Sequence, residues 1–338
     1  MPTAKGTRRF KVGKVPPSTL LRAVYPYLGR KSRSLLIGPG IGRDAAAIGY
    51  GNKVLVFSTD PITGTATHIG RHSVHINAND IATAGARPIW YLCTILLPPD
   101  ADEISLRQIM ADVDDAAKSL GITVVGGHTE VTPGLTRPII AGFMVGETTR
   151  QRLLSSEGGR EGDKVLLTKT AGLEGTAILA TDYANKLSDL EPKTLDRARM
   201  FSEQISVVKE ALTAARIRGV HAMHDPTEGG VLNGLWELAE ASNLGIEVDA
   251  DNIPVAPETG RVCRVLGLDP LRLMSSGSLL VAVDHAKAET VARALRRIPV
   301  RVSEVGRLTS TSNGRYVARG PRRLKLEAVP TDELYKLA

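Results

Sequence analysis

An α/β (α+β) fold in two domains is what this sequence of 338 residues predicts, and three observations carry the prediction. The length accommodates two ordinary cores, since domains usually run to about 100–200 residues. In both halves, short apolar runs bounded by turn residues alternate with stretches of helical spacing. A polar, glycine-containing stretch, TTRQRLLSSEGGREGD from Thr148 to Asp163, lies between the halves. The chain divides accordingly into a basic arm at 1–43, a first domain at 44–150 and a second at 151–338.

Taken in order, KVLVFST (Lys53–Thr59), IWYLCTILL (Ile89–Leu97), ITVVG (Ile122–Gly126) and PIIAGFMVG (Pro138–Gly146) read as strands. Helices are expected over 71–86 and 105–120. In the second half KVLLTK (Lys164–Lys169), GSLLVAV (Gly277–Val283) and VRVSEVG (Val300–Gly306) read as strands. Helical spacing covers 204–216, 230–242, 257–266 and 286–296. Interleaved strands and helices in both halves define the class.

Apolar residues make up 42% and charged residues 23%, the usage of an ordered globular protein. The net charge of +7 is unevenly spread: residues 1–43 hold ten Lys or Arg and no acid, so the rest of the chain sums to −3. Such an arm fits nucleic acid or a polyphosphate. The aromatic content of 4% and the lack of repeated basic motifs argue against nucleic acid. Cys93 and Cys263 lie far apart among apolar neighbours, as expected for buried thiols in a reducing compartment. With no apolar stretch of about 18 residues and no leader-like N-terminus, a soluble, cytoplasmic protein without membrane contact is expected.

Four segments of the first half join acids to glycine where apolar runs end. GPGIGRDAAAI carries Asp44, STDPITG carries Asp60, HINANDIATAGARP carries Asn77, Asn79 and Asp80, and VGGHTEVTPG carries His128, Thr129 and Glu130. Singly, Asp44 and Asp60 read as a helix cap and a turn residue. Jointly, carboxylate and amide oxygens delivered from several element ends suit Mg²⁺, which binds a few carboxylates together with polyphosphate oxygens. His128, placed by Gly126 and Gly127 at the open end of a strand, is a candidate general acid or base, or a turn histidine. In the second half, KTAGLEGTA (Lys169–Ala177) brings Gly172 and Gly175 to a strand-to-helix junction whose N–H groups could seat an anion. HAMHDPTEGGVLNGLWELAEAS sets His224 and Asp225 just before a helix.

The ordered series GxDAA, STD, NANDIATAGARP, GGHTE, a glycine-rich junction and HDPTEGG resembles the PurM/HypE superfamily. That superfamily unites aminoimidazole ribonucleotide (AIR) synthetase, thiamine monophosphate kinase, selenophosphate synthetase and the hydrogenase maturation protein HypE. The resemblance covers about residues 11 to 310 and is strongest to the HypE branch. It implies a PurM-like two-domain architecture, with N-terminal domains pairing into a dimeric β-barrel and a C-terminal α/β sandwich. It further implies a homodimer binding ATP and Mg²⁺ between its domains, and a maturation-protein partner. By matching motifs, Asp44, Asp60, Asp80 and Glu130 approach the metal-bound phosphates. Asn79 and Thr129 support them, Gly172 and Gly175 line the far side, Asp225 faces a small-molecule acceptor, and Lys11 and Lys14 of the arm close over the nucleotide.

The implied chemistry is activation of an acceptor oxygen by the γ-phosphoryl group, in which positioning and charge neutralisation carry the rate. The chain departs from the HypE pattern in ending DELYKLA, without the terminal cysteine, and in having His128 where GGDT would place an acid. A non-catalytic nucleotide-binding partner in a maturation complex and a thiamine-monophosphate-kinase-like small-molecule kinase are the alternatives.

Overall fold

The computed structural model describes Phe10, residues 12–65 and 67–337, so Lys11 lies outside the described residues. After a short helix α1 (Pro17–Ala23), six strands form the first sheet. They are β1 (Leu35–Ile37), β2 (Ala46–Tyr50), β3 (Lys53–Ile62), β4 (Arg87–Leu97), β5 (Thr123–Val131) and β6 (Ile139–Thr148), in the order β1-β2-β3-β6-β4-β5. Every pairing is antiparallel except β4 with β5. The edge strand β1 therefore comes from within the basic segment 1–43. Helices α2 (Ile69–Thr83) and α3 (Glu103–Leu120) pack together, with α2 against β3, β4 and β6.

A seven-stranded sheet follows: β7 (Lys164–Thr168), β8 (Val220–His224), β9 (Gly245–Asp249), β10 (Leu280–Val283), β11 (Val302–Thr309), β12 (Arg315–Arg319) and β13 (Arg322–Lys325). Its order is β13-β12-β9-β11-β7-β10-β8. Of helices α4 (Leu173–Asp182), α5 (Pro192–Arg199), α6 (Val208–Ala214), α7 (Gly230–Ala241), α8 (Pro257–Leu266) and α9 (Ala288–Arg296), α7 and α9 pack on its strands, α6 packs against α9 and α2, and α4, α5 and α8 pack on one another around a further apolar cluster with Leu179 and Val262. The mixed α/β class expected from the alternating pattern is the class observed. No helix among the described residues is long and apolar enough to cross a membrane.

The two sheets share one apolar core. Val54, Val56, Ile81 and Tyr91 of the first sheet and α2 belong to the same buried cluster as Val208 and Ala211 of α6, Val281 and Val283 of β10 and Val291 of α9. The alternate residues of β10, Leu280 and Ala282, face a second core with Leu235 and Leu238 of α7. Burial on both faces explains why β10 reads as an unbroken apolar run.

Two expectations change. GGHTE is not a turn after a strand; it lies inside β5, and Gly127 is required because a Cβ there would sit 2.2 Å from the Cys93 carbonyl oxygen on β4. The helix expected at 204–216 starts only at Val208, because residues 204–207 are held by side chains from both domains, as described next.

Candidate metal and nucleotide site

Helix α2 is buried along nearly its whole length, and its Asn77, Asn79 and Asp80 have three different tasks. Asn77 fixes the backbone of Asp60: its Oδ1 accepts the Asp60 N–H at 2.9 Å and its Nδ2 donates to the Asp60 carbonyl at 3.3 Å. Gly142 is what admits it, since a Cβ there would stand 2.4 Å from Asn77 Nδ2. Asp80, three residues on and on the same helix face, accepts a short hydrogen bond from Ser58 Oγ on β3. Asn79 looks the other way, donating to the Ile205 carbonyl and accepting from the Val207 N–H, both at 2.8 Å. It is therefore a clasp between the domains, not a support of the acidic cluster.

Asp80 meets Asp44, from the loop before β2, and Asp225, which follows β8. One carboxylate oxygen from each lies within 4.8 Å of the others. Asp225 is 1% exposed, and neither of its oxygens has a hydrogen-bond partner among the described residues. Burial, then the charge of Asp44, pushes the Asp225 carboxyl well above the usual range. Burial, with the charges of Asp60, Asp225 and Asp44, does the same to Asp80 against the pull of Ser58. Buried carboxylates that repel one another and lack donors are costly unless a cation joins them. Their oxygen-only donor set is of the kind that hard divalent cations take. Asp60, within hydrogen-bond reach of Asp80 and likewise raised by burial, links this cluster to the neighbouring cavity.

His224 organises the cluster from behind. Fully buried at the end of β8, it contacts Asp44 through Nδ1 at 2.8 Å and Glu237 of α7 through Nε2 at 3.0 Å. Burial opposes its charge, yet the two carboxylates, Asp44 first, hold its pKa well above the ordinary value. For Glu237 burial acts upward, and Lys14 and His224 outweigh it, bringing the carboxyl down to about 2. Lys14 Nζ reaches Glu237 and Thr227, each at 3.4 Å. Lys14 thus joins the site through the α7 acid. Glu237 escaped the sequence reading because it reads as an ordinary acid on the polar face of an amphipathic helix, opposite Leu235 and Leu238; its spacing of 13 residues from His224 carries no motif.

A cavity of about 510 Å³ opens beside Asp60 and Lys14, within the size range of small-molecule sites. Its walls come from both domains and from the chain ends: Val12 to Lys14, Asp60 to Thr65, Glu174, Thr227, Glu228, Ser276 and Tyr335. The Tyr335 hydroxyl donates to Glu228 at 2.9 Å, and Asp332 accepts the Gly229 N–H at 2.6 Å, so the final described segment forms one wall.

Other expected site residues lie elsewhere. His128 and Glu130 contact each other at 3.1 Å on the exposed edge strand β5. They share rows with Thr94 and Leu96, on the sheet face opposite α2. Asp60 points to the α2 side and lies three strands away, about 14 Å at ordinary spacing. Thr129 is exposed on the same edge strand. Within the protomer, Glu130, His128 and Thr129 therefore do not join the cluster, and Asp225 takes the place expected of Glu130.

Gly172 and Gly175 do not offer free N–H groups either. The Gly172 N–H goes to Ser275 Oγ and the Gly175 N–H to the Met274 carbonyl, at 2.8 and 2.9 Å. A Cβ on Gly175 would meet Leu273 at 2.5 Å, so this glycine permits close packing rather than anion binding. Lys169, at φ +57°, turns its Nζ onto the carbonyls of Gln204, Ser206 and Gly277. It grips from one side the segment that Asn79 grips from the other.

Family models for AIR synthase related proteins match this chain over residues 42–148 for the N-terminal domain and 160–318 for the C-terminal domain. The carbamoyl dehydratase HypE of Cupriavidus necator is 32% identical over 267 residues, 77% of this chain and 74% of that protein. The chain belongs to the AIR synthase related (PurM/HypE) family, in its HypE branch. The crystal structure of Escherichia coli HypE superposes with a TM-score of 0.74 at 26% identity, covering 84% of this chain and 88% of that one. A HypE structure in complex with ATP superposes at 0.71 with 22% identity over 95% and 96% of the two chains. Family members thus share this PurM-like fold.

Proposed function

We propose that this HypE-branch protein is an ATP- and Mg²⁺-dependent enzyme that transfers the γ-phosphoryl group to an oxygen of a small acceptor. The observation that carries the reading is the convergence of Asp44, Asp80 and Asp225, with both Asp225 oxygens orphaned, beside a cavity walled by both domains. A solved HypE with ATP bound has the same fold, and the HypE of C. necator is a carbamoyl dehydratase. The first fact agrees with a nucleotide in this cleft, and the second with an enzyme of the same branch.

Asp44, Asp60, Asp80 and Asp225 would hold the metal, which supplies positive charge to the triphosphate oxygens. His224 fixes the Asp44 carboxylate, and Lys14 sits where the triphosphate would enter. In the transfer, the acceptor oxygen forms a bond to the γ-phosphorus as the bond from that phosphorus to the β–γ bridging oxygen breaks, and ADP leaves. The chain's contribution is alignment and charge neutralisation. Calorimetric titration with a non-hydrolysable ATP analogue tests the reading. Binding is expected with Mg²⁺ and at least tenfold weaker with the metal removed; metal-independent binding, or none at millimolar analogue, overturns it.

We further propose a homodimer built on the outer face of the first sheet. Phe57, Leu92, Leu96 and Phe143 line that face, and neither α2 nor α3 covers it; Phe143 is 39% exposed. Uncovered apolar area of this kind marks an interface. Sedimentation of the wild type should report a dimer, and Phe143→Glu should give a folded monomer; a monomeric wild type removes the interface.

A further inference from the structure

The metal cluster and Lys14 account for part of the cavity lining, and the end at Glu174 and Ser276 has a different chemistry. Glu174, in the first turn of α4, is 3% exposed, and its Oε2 has no partner among the described residues. Ser276, fully buried, lies beside that carboxyl, yet its Oγ forms no hydrogen bond of ordinary geometry among the described residues. Glu228 lines the same cavity, oriented by the Tyr335 hydroxyl. Of the cations lining the cavity, Lys14 is engaged with Glu237 and acts on Glu228 as well, which leaves Glu174 without a cation of its own, and Arg137 belongs to the loop between β5 and β6.

A buried acceptor with no donor is destabilising, and a ligand that supplies the donor removes that cost. A phosphate is excluded at this end by the charge of Glu228 and the lone pairs of Glu174. A neutral hydroxyl would satisfy one oxygen but leave the acids uncompensated. Burial, partly offset by Ser276 and reinforced by the charges of Asp332, Glu228 and Asp60, holds Glu174 at about 7. This is the condition of a carboxyl without a cationic partner.

We propose that Glu174, Ser276 and Glu228 form a subsite for a protonated nitrogen of the acceptor: an ammonium, amidinium or guanidinium group. The proposal rests on the nucleotide reading only for what fills the metal end. It makes the acceptor a cationic nitrogen compound whose oxygen extends toward Asp60 and the metal cluster.

The test is calorimetric titration of the full chain with methylguanidinium, and with methylurea as its neutral counterpart of the same shape, each with and without Mg²⁺ and the ATP analogue. Methylguanidinium should bind and methylurea should bind at least tenfold more weakly, the loss of one charge-assisted hydrogen bond. Glu174→Gln should weaken methylguanidinium at least tenfold and leave the Mg²⁺-dependent analogue affinity within about twofold. Ser276→Ala, which keeps the charge, should weaken it less. Melting of each variant at or near the wild-type temperature shows that the fold is intact. Equal binding of the two probes, binding of neither, or an unaffected Glu174→Gln overturns the subsite. Weakened analogue binding in Glu174→Gln also overturns it, by giving that end to the nucleotide. Methylguanidinium binding that persists while the analogue fails to bind the wild type would refute the nucleotide reading and leave the subsite standing.

Discussion

An Asp225→Asn variant should lose Mg²⁺-dependent nucleotide binding by roughly two orders of magnitude, while its metal-free form melts at a higher temperature than the wild type. The first effect follows from removing one of the carboxylates that would share the cation, a charge loss of the size seen when a preorganised electrostatic partner is deleted. The second follows from the condition of Asp225 without metal: buried, unpartnered and pressed against Asp44 and Asp80. An amide of the same shape ends the repulsion and can donate to the neighbouring carboxylates.

The pH dependence has a definite sign. A carboxyl whose folded pKa lies above its unfolded value of 3.8 binds more protons in the native state. Its contribution to stability therefore declines as pH rises from about 4 toward and through the folded pKa. The metal-free wild type should lose stability across that range, Asp225→Asn should flatten the loss, and added Mg²⁺ should counter it in the wild type alone. Thermal melts at several pH values with and without EDTA read this directly. A variant that melts lower than the wild type in EDTA, or that retains full Mg²⁺-dependent binding, would refute the assignment.

Asn79→Ala should destabilise the protein by about 2–4 kcal/mol without removing any group from the metal cluster. The asparagine is fully buried, and its amide satisfies both the Ile205 carbonyl and the Val207 N–H across the domain junction. Alanine leaves two backbone groups unpaired in a region with no access for water. Because Lys169 holds the same segment through Gln204 and Ser206, the segment should loosen rather than detach. Urea unfolding should show a lower midpoint, with calorimetric metal–nucleotide affinity falling far less than in Asp225→Asn. A shift below 0.5 kcal/mol would mean that the clasp contributes nothing net. Metal affinity lost as fully as in Asp225→Asn would return Asn79 to the site.

These two variants separate residues that the sequence presents side by side. In NAND, Asn77, Asn79 and Asp80 look equivalent, and only helix geometry sorts them: positions 77 and 80 project together toward β3, and position 79 projects toward the second domain. In GGHTE the opposite error arises. The glycine pair reads as bringing His128 and Glu130 to a site at the open end of a strand, yet Gly127 answers the close approach of the Cys93 carbonyl, and both side chains face away from α2. The Gly172 and Gly175 junction misled in the same way, because a glycine required for packing looks identical in sequence to one that frees an N–H for an anion.

Local chemistry is what the sequence by itself determined. The alternation of apolar runs sets the class. The acids at strand and helix ends mark Asp44, Asp60 and Asp80, and the order of motifs identifies the family. Tertiary structure alone decided which of these groups meet. Asp44 and His224 touch across 180 residues of chain, Glu237 enters from a helix that reads as amphipathic packing, and Asp225 turns inward to complete the cluster. The reason is physical: residue type and spacing govern propensity within a few turns, whereas a binding site is assembled by how two sheets and their helices pack, and strand order and pairing register carry no local signal.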